Sequence, residues 1–246
     1  KMKNQLLIFA PLGVIAAGSF FLSSVKAEEE NKYYVTASGG TSFFDGANSE
    51  KENYSINGTS ASVGWELELE DEFGYDVGIG YDLGKTRLEL SVSLQDTNVE
   101  RTSVNATYSG TSAIVGVATK GEAEATSYLF SLNRDFPSDS GWTPYIGAGL
   151  GMTSITTNDV TIQTGTLGDA LGVNLGTTAI LKGSTAEVFA YQVKGGIAKS
   201  LSEKTELFGE VSYLGTEGHT AGSGDTEIKW KGINLIGTRI GFRYKF

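Results

Sequence analysis

The 246-residue sequence has no cysteine, one histidine and three prolines, and each scarcity removes a class of function. Without cysteine there is no disulfide framework, no thiolate nucleophile and no cysteine-ligated zinc. A single histidine leaves few candidates for a base that works near neutral pH. Basic residues are outnumbered, 19 Lys and Arg against 29 Asp and Glu, for a formal net charge of −10. A chain of that sign is a poor nucleic-acid binder, because phosphates are held by positive charge. After residue 27 there is no long apolar run, so nothing beyond that point crosses a bilayer as a helix. With 33 Gly and 39% hydrophobic residues the chain is neither collagen-like nor a disordered polymer. Its length allows one domain of ordinary size, two at most.

The first 27 residues read as an address. Lys1 and Lys3 precede the apolar run Leu6–Leu22, and Val25-Lys26-Ala27 places short residues at the −3 and −1 positions of a signal-peptidase site. The run contains Pro11, Gly13 and Gly18 and falls short of the ~20 apolar residues that span hydrocarbon comfortably. Cleavage is therefore expected after Ala27, leaving residues 28–246 as the mature domain. The segment removes three lysines and no acid, so the exported chain carries −13.

In the mature chain, period-2 alternation recurs in segments of about ten residues, the signal of a transmembrane β-barrel. In Phe73–Leu83 every odd position is aromatic or branched and every even one is Gly or Asp. Leu88, Leu90, Val92 and Leu94 alternate with Arg87, Glu89, Ser91 and Ser93. Ile146, Ala148, Leu150 and Met152 alternate with Tyr145, Gly147, Gly149 and Gly151. A soluble barrel also alternates, but its polar face should carry many Lys and Glu. Here that face is mostly Gly, Ser and Thr, a composition suited to a narrow interior. The glycines at spacing two leave room for bulky inward neighbours and are not a dinucleotide loop.

Eight strands are expected, over 33–44, 73–83, 87–97, 124–135, 143–155, 187–199, 204–215 and 232–246. Tight turns at Gly84-Lys85-Thr86, 137–141 and 200–203 alternate with long loops at 45–72, 98–123, 156–186 and 216–231. This is an up-and-down barrel with short periplasmic turns and long extracellular loops. Trp65, Leu67 and Leu69 continue the odd parity of the second strand, so that strand is expected to project above the bilayer. A further hairpin around 160–162 and 179–181 would raise the count to ten.

Antiparallel partners share a constant sum of residue numbers. A sum of 449 sets Glu206 opposite Arg243, Glu210 opposite Arg239, and Leu207 opposite Phe242. A sum of 169, set by a two-residue Gly84-Lys85 turn, pairs Asp82 with Arg87 and Ile79 with Leu90. These registers predict a lumen crossed by the ion pairs Glu206–Arg243, Glu210–Arg239 and Asp82–Arg87, because each charge buried alone costs several kcal/mol. Such pairs fill and rigidify an eight-stranded interior; an ion path or gate is the alternative.

The chain ends Ile240-Gly241-Phe242-Arg243-Tyr244-Lys245-Phe246, a lipid-facing row with aromatic anchors. With Thr143–Gly151 and Gly80-Tyr81-Asp82-Leu83-Gly84, this ending resembles the small outer-membrane β-barrels of the OmpA/OmpX-like superfamily, over residues 33–246. The resemblance implies that Ile240, Phe242, Tyr244 and Phe246 form the recognition signal for the barrel-assembly machinery. It also implies residence in the outer membrane of a Gram-negative bacterium, among lipopolysaccharide, as a monomer. The peptidoglycan-binding domain that follows the barrel in OmpA itself is not expected in this chain.

Two loop features raise other chemistries. Glu66, Glu68, Glu70 and Glu72 fall on one side of the projecting strand, either as a solvated rim or as a Ca²⁺ or Mg²⁺ site. His219, with Thr220, Ser223 and Asp225, is the one place for a hydrolase-like site, in a Gly-rich turn that does nothing to fix their geometry. The expected function is non-enzymatic and cofactor-free: a barrel displaying extracellular loops for envelope integrity, adhesion or surface recognition. A narrow channel is the first alternative and an enzyme using His219 the second. Acidic loops would repel anionic lipopolysaccharide unless divalent ions bridged them.

Overall fold

The computed structural model describes residues 32–56, 59–162, 178–222 and 227–246, so the expected leader at 1–27 lies outside the described residues. Eight strands form the wall: β1 (Tyr33–Phe44), β2 (Glu72–Asp82), β3 (Thr86–Tyr108), β4 (Thr111–Asp135), β5 (Trp142–Thr157), β6 (Ser184–Ser200), β7 (Thr205–Thr216) and β8 (Asn234–Lys245). Each pairs antiparallel with its sequence neighbours. β8 then returns to β1, from Tyr34 opposite Lys245 to Phe44 opposite Leu235. The sheet is closed.

Both registers are those the alternation requires. Glu206 stands opposite Arg243, Glu210 opposite Arg239 and Leu207 opposite Phe242 on β7 and β8. Asp82 stands opposite Arg87 and Ile79 opposite Leu90 on β2 and β3. The β2–β3 turn is closed by the Leu83 amide donating to the Thr86 carbonyl, with Gly84 at a φ of 95° that few other residues adopt. A one-residue slip would turn every apolar side chain inward, so the lipid face itself sets the register.

The apolar set looks outward. Leu90 and Leu150 are 58% exposed and Ile240 69%, whereas Arg87, Glu89, Arg239 and Arg243 are buried inside. Aromatic contacts mark both rims of this belt. Tyr33 packs edge-on against Tyr81 and stacks with Phe246 at the turn end, and the Lys199 Nζ lies 5.2 Å from the Trp142 ring centre. Phe73 packs against Tyr75, and Tyr191 against Tyr213, towards the loop end.

The long-loop side departs from a set of plain loops. The expected loop 98–123 is instead strand on both sides of a two-residue turn. β3 and β4 stay paired up to Tyr108 opposite Thr111, with Ser109 and Gly110 both at positive φ, the geometry of a tight hairpin. Above the belt no lipid demands an apolar outward row, so alternation fades while backbone pairing continues. The projection of the second strand is present too. Thr59–Leu69 pairs with the upper half of β3, and the sum of 169 that holds at Asp82–Arg87 holds again from Glu68–Arg101 to Ala61–Tyr108, after an irregularity at Leu69. The hairpin Val160–Ile162 with Thr178–Leu181 forms, but it pairs with β4 at Thr119 and Lys120, outside the wall. The barrel has eight strands, not ten.

Candidate functional site

The lumen is built from a unit that occurs twice. Tyr34 on β1 lies over Gly80 of β2, and its hydroxyl donates to Glu89 Oε2 on β3 at 3.1 Å. Four strands on, Tyr145 of β5 lies over Gly196 of β6 and donates to Glu210 Oε2 on β7 at 2.9 Å. A Cβ on either glycine would collide with the ring above it, so glycine is required for close approach. Lys194 of β6 reaches between the two carboxylates, with its Nζ 2.9 Å from Glu89 and 3.5 Å from Glu210. Glu89 and Lys194 sit on strands three apart, so this pair spans the barrel.

Two guanidinium groups seal the floor. The Arg87 head is 5.7 Å from the Tyr34 ring centre and 5.0 Å from that of Tyr145; Arg243 is 5.3 and 5.8 Å from the same rings. Arg87 makes a bidentate pair with Asp135 at 2.7 and 2.8 Å. Above the ions the lining turns apolar, with Leu129, Ala190, Leu214 and Leu235 packed together beside Phe44. Two voids along the lumen measure about 30 and 40 Å³, room for a water or two. We expect Gly196→Val to displace the Tyr145 ring and break its bond to Glu210, lowering stability by about 1–3 kcal/mol. A urea-unfolding midpoint in micelles unchanged from the parent would contradict this reading.

Of the three expected ion pairs, one joins its partners across the strand and two do not. Arg243 pairs with Glu206, whose other oxygen is 3.0 Å from Lys245. Glu210 and Arg239 do not meet. Glu210 is taken by Lys194 and Tyr145, while Arg239 Nε donates to Asp76 on β2 at 2.6 Å and its other nitrogens to Ser42 and the Thr41 carbonyl. Likewise Arg87 takes Asp135, and Asp82 lies 3.2 Å from Lys245. Directly opposed residues are neighbours in sequence register, but a long side chain also reaches diagonal groups on the strand at its other side, as Arg87 reaches Asp135 and Glu210 meets Lys194, and groups two strands away, as Arg239 reaches Asp76 and Lys245 reaches Asp82. The best geometry wins among more partners than the hairpin offers.

Above the wall the loops are knitted into a cap. The first meets the second where Thr59–Leu69 pairs with β3. The second meets the third at Thr119–Ile162. The fourth, a hairpin of His219–Ala221 with Ile228–Trp230, docks on the first: the Glu50 amide donates to the Lys229 carbonyl and the Lys231 amide to that of Asn48, both at 2.8 Å. It also reaches β6, where the Gly222 amide donates to Ser184 Oγ at 2.8 Å. The cap has its own apolar core of Ala47, Leu67, Val99, Val160, Ala221 and Trp230, drawn from all four loops.

The four glutamates of the projecting strand do not converge. Glu68 lies 3.9 Å from Arg101, whereas Glu70 and Glu72 both accept from the Asn98 side-chain amide. The irregularity at Leu69 separates these two sets. Among the described residues there is no group of three or more carboxylate or histidine side chains placed to hold a metal ion. His219 stands opposite Trp230 in the cap, and its Nδ1 is buried without a hydrogen-bond partner. Ser223 and Asp225 lie outside the described residues. On β8, Ile240, Phe242 and Tyr244 form an outward row, and the Phe246 amide donates to the Tyr33 carbonyl at the seam of the barrel.

No family model matches the sequence. The outer membrane protein PagN of Salmonella typhimurium is 28% identical over 222 residues, spanning 83% of this chain and 87% of PagN. Among solved structures, Neisserial surface protein A aligns over 89% of this chain and 100% of its own, at a TM-score of 0.49 and 16% identity. The outer membrane protein OprG of Pseudomonas aeruginosa aligns over 89% and 97%, at a TM-score of 0.47 and 17% identity. Closed on itself, belted with apolar side chains, and similar over most of its length to an outer membrane protein, the chain is a small eight-stranded outer-membrane β-barrel of the Gram-negative envelope.

Proposed function

We propose that this barrel is a non-enzymatic, non-conducting stand for its cap, and that the cap serves surface recognition or adhesion at the cell exterior. The observation that carries the reading is the cap itself: four loops share one apolar core above a lumen filled by ion pairs and aromatic rings. Two Arg heads packed against the Tyr34 and Tyr145 rings leave little room for a solute path, whereas a recognition surface gains from loops ordered before contact, since less entropy is lost on binding. The row Ile240, Phe242, Tyr244 and Phe246 is the part of the reading that concerns the barrel-assembly machinery. Lipopolysaccharide is the expected neighbour of the belt. The chain is expected to act as a monomer.

The test uses cells displaying the full chain and the purified protein in planar bilayers. Displaying cells should adhere to eukaryotic cells or matrix-coated surfaces. Adherence should fall to background when Leu67 and Trp230 are both replaced by alanine, with the barrel still heat-modifiable on gels. The bilayers should show no steady openings. Adherence indifferent to the cap substitutions, or steady openings abolished by neutralising Glu210 and Arg239 together, would overturn the proposal.

A further inference from the structure

We propose that His219 is an acid-sensitive latch: protonating it releases the fourth-loop hairpin from the cap core. This inference needs only the cap geometry and does not depend on what the cap recognises.

The sequence supplies one histidine, and the fold places it where a charge is unwelcome. His219 faces Trp230 across the hairpin, and Trp230 is 4% exposed in the core with Ala47, Leu67 and Val99. The imidazole Nδ1 and the Trp230 Nε1 are both buried without hydrogen-bond partners. A neutral ring tolerates this, because an unprotonated Nδ1 only forgoes an acceptor role. A protonated ring adds an N–H donor at that buried atom and a positive charge on a half-buried ring, with no acceptor for the new N–H among the described residues, which is unfavourable. The charged residues on the surrounding elements do not relieve it. Glu217 precedes the strand, Glu227, Lys229 and Lys231 lie on or beside the opposite strand, Glu50 is on the first-loop segment, and Glu187 is on β6. Among the described residues none forms an ion pair with the imidazole.

Burial accordingly holds the His219 pKa below the ordinary histidine value. An undocked hairpin exposes the ring to water, where it takes a proton near pH ~6.5. The docked state then binds fewer protons than the undocked one on the acid side. Docking is at full strength above about pH 6.5 and weakens as the pH falls through that value, by at most about tenfold in its equilibrium constant per pH unit. The weakening levels off once the docked histidine is itself protonated. Among the described residues the hairpin is held by three cross-strand pairs, two backbone bonds to the first loop, one amide bond to the Ser184 hydroxyl of β6, and the burial of Ala221 and Trp230 in the core.

The experiment follows Trp230 in the full chain folded in detergent micelles. The sequence has three tryptophans, so Trp65→Phe with Trp142→Phe leaves Trp230 as sole emitter. Between pH 7.5 and 5.5 the emission should shift to the red and acrylamide quenching should rise several-fold, both reversibly. In His219→Phe and His219→Gln, each first verified as a heat-modifiable barrel, the response should vanish. A flat response in the parent would overturn the latch. So would a response of equal size in either variant, which would place the titration on carboxylates.

Discussion

Replacing Lys194 with methionine should lower the stability of the folded barrel by about 3–5 kcal/mol, the largest loss we expect from one lumen substitution. The side chain is 8% exposed and stands between carboxylates that are 6% and 12% exposed. Methionine matches its length and flexibility, so the loss reports charge and not a cavity. What remains is a pair of buried carboxylates, Glu89 and Glu210, each still held by a tyrosine hydroxyl but facing no cation between them. Neutralising all three positions together, with Glu89→Gln and Glu210→Gln added, should recover most of the loss, because a lumen without charge has no unpaired charge to strand. Urea unfolding in micelles, followed by tryptophan emission, measures both. A single-variant loss below about 1 kcal/mol, the size of an exposed pair, would mean that Lys194 points into water.

Lys194 shows how far the sequence could be read. Its inward direction was legible: Phe189, Tyr191 and Val193 take the lipid face of β6, and parity sends Gln192 and Lys194 to the other side. Its partner was not. Glu89 is 105 residues away on a strand that never pairs with β6, and only the radius of the closed cylinder brings the two together. Hairpin register predicts neighbours along hydrogen-bonded strands. It found Glu206–Arg243 and mispaired the other four: Arg239 and Asp82 reach partners two strands away, while Arg87 and Glu210 take diagonal partners on the neighbouring strand on their other side. The glycines were read correctly as space for inward bulk, with Asn133 leaning over Gly147 and Ser131 over Gly149. The rings of Tyr34 and Tyr145 over Gly80 and Gly196 obey the same logic two strands from their carboxylates.

The cap was the least legible part, for a physical reason. Within the belt, lipid penalises every misplaced polar residue and so imprints alternation on the sequence. Above it, a buried position must only be apolar, and the six core residues come from segments as far apart as Ala47 and Trp230 with no shared period. Leu67 was the visible member of that core, through the parity with β2 that it shares with Trp65 and Leu69, which pack against the core. The acidic run beside them read as a cluster because alternation puts Glu66 and Glu68 on one side. Yet the irregularity at Leu69 splits the four carboxylates into sets with different partners.

The orientation of the wall has its own large consequence at Ile240. This residue is the third of five outward positions on β8, between Ile236 and Thr238 towards the loops and Phe242 and Tyr244 towards the turns, and it is the most exposed of the large apolar residues. Ile240→Arg should cost about 2–4 kcal/mol in vesicles, the penalty for a cation near the bilayer midplane. Tyr244→Arg, at the interface end of the same row, should cost only about 0–1 kcal/mol. The contrast is diagnostic, because on a water-soluble barrel an arginine at so exposed a site changes stability by about 0.5 kcal/mol or less. Arg239, one residue earlier, is tolerated in the wild-type chain only because its side chain points the other way, onto Asp76, Ser42 and the Thr41 carbonyl. Two adjacent positions on one strand thus impose opposite demands on the same side chain. Equal costs at 240 and 244 in lipid vesicles would mean that hydrocarbon does not cover this face.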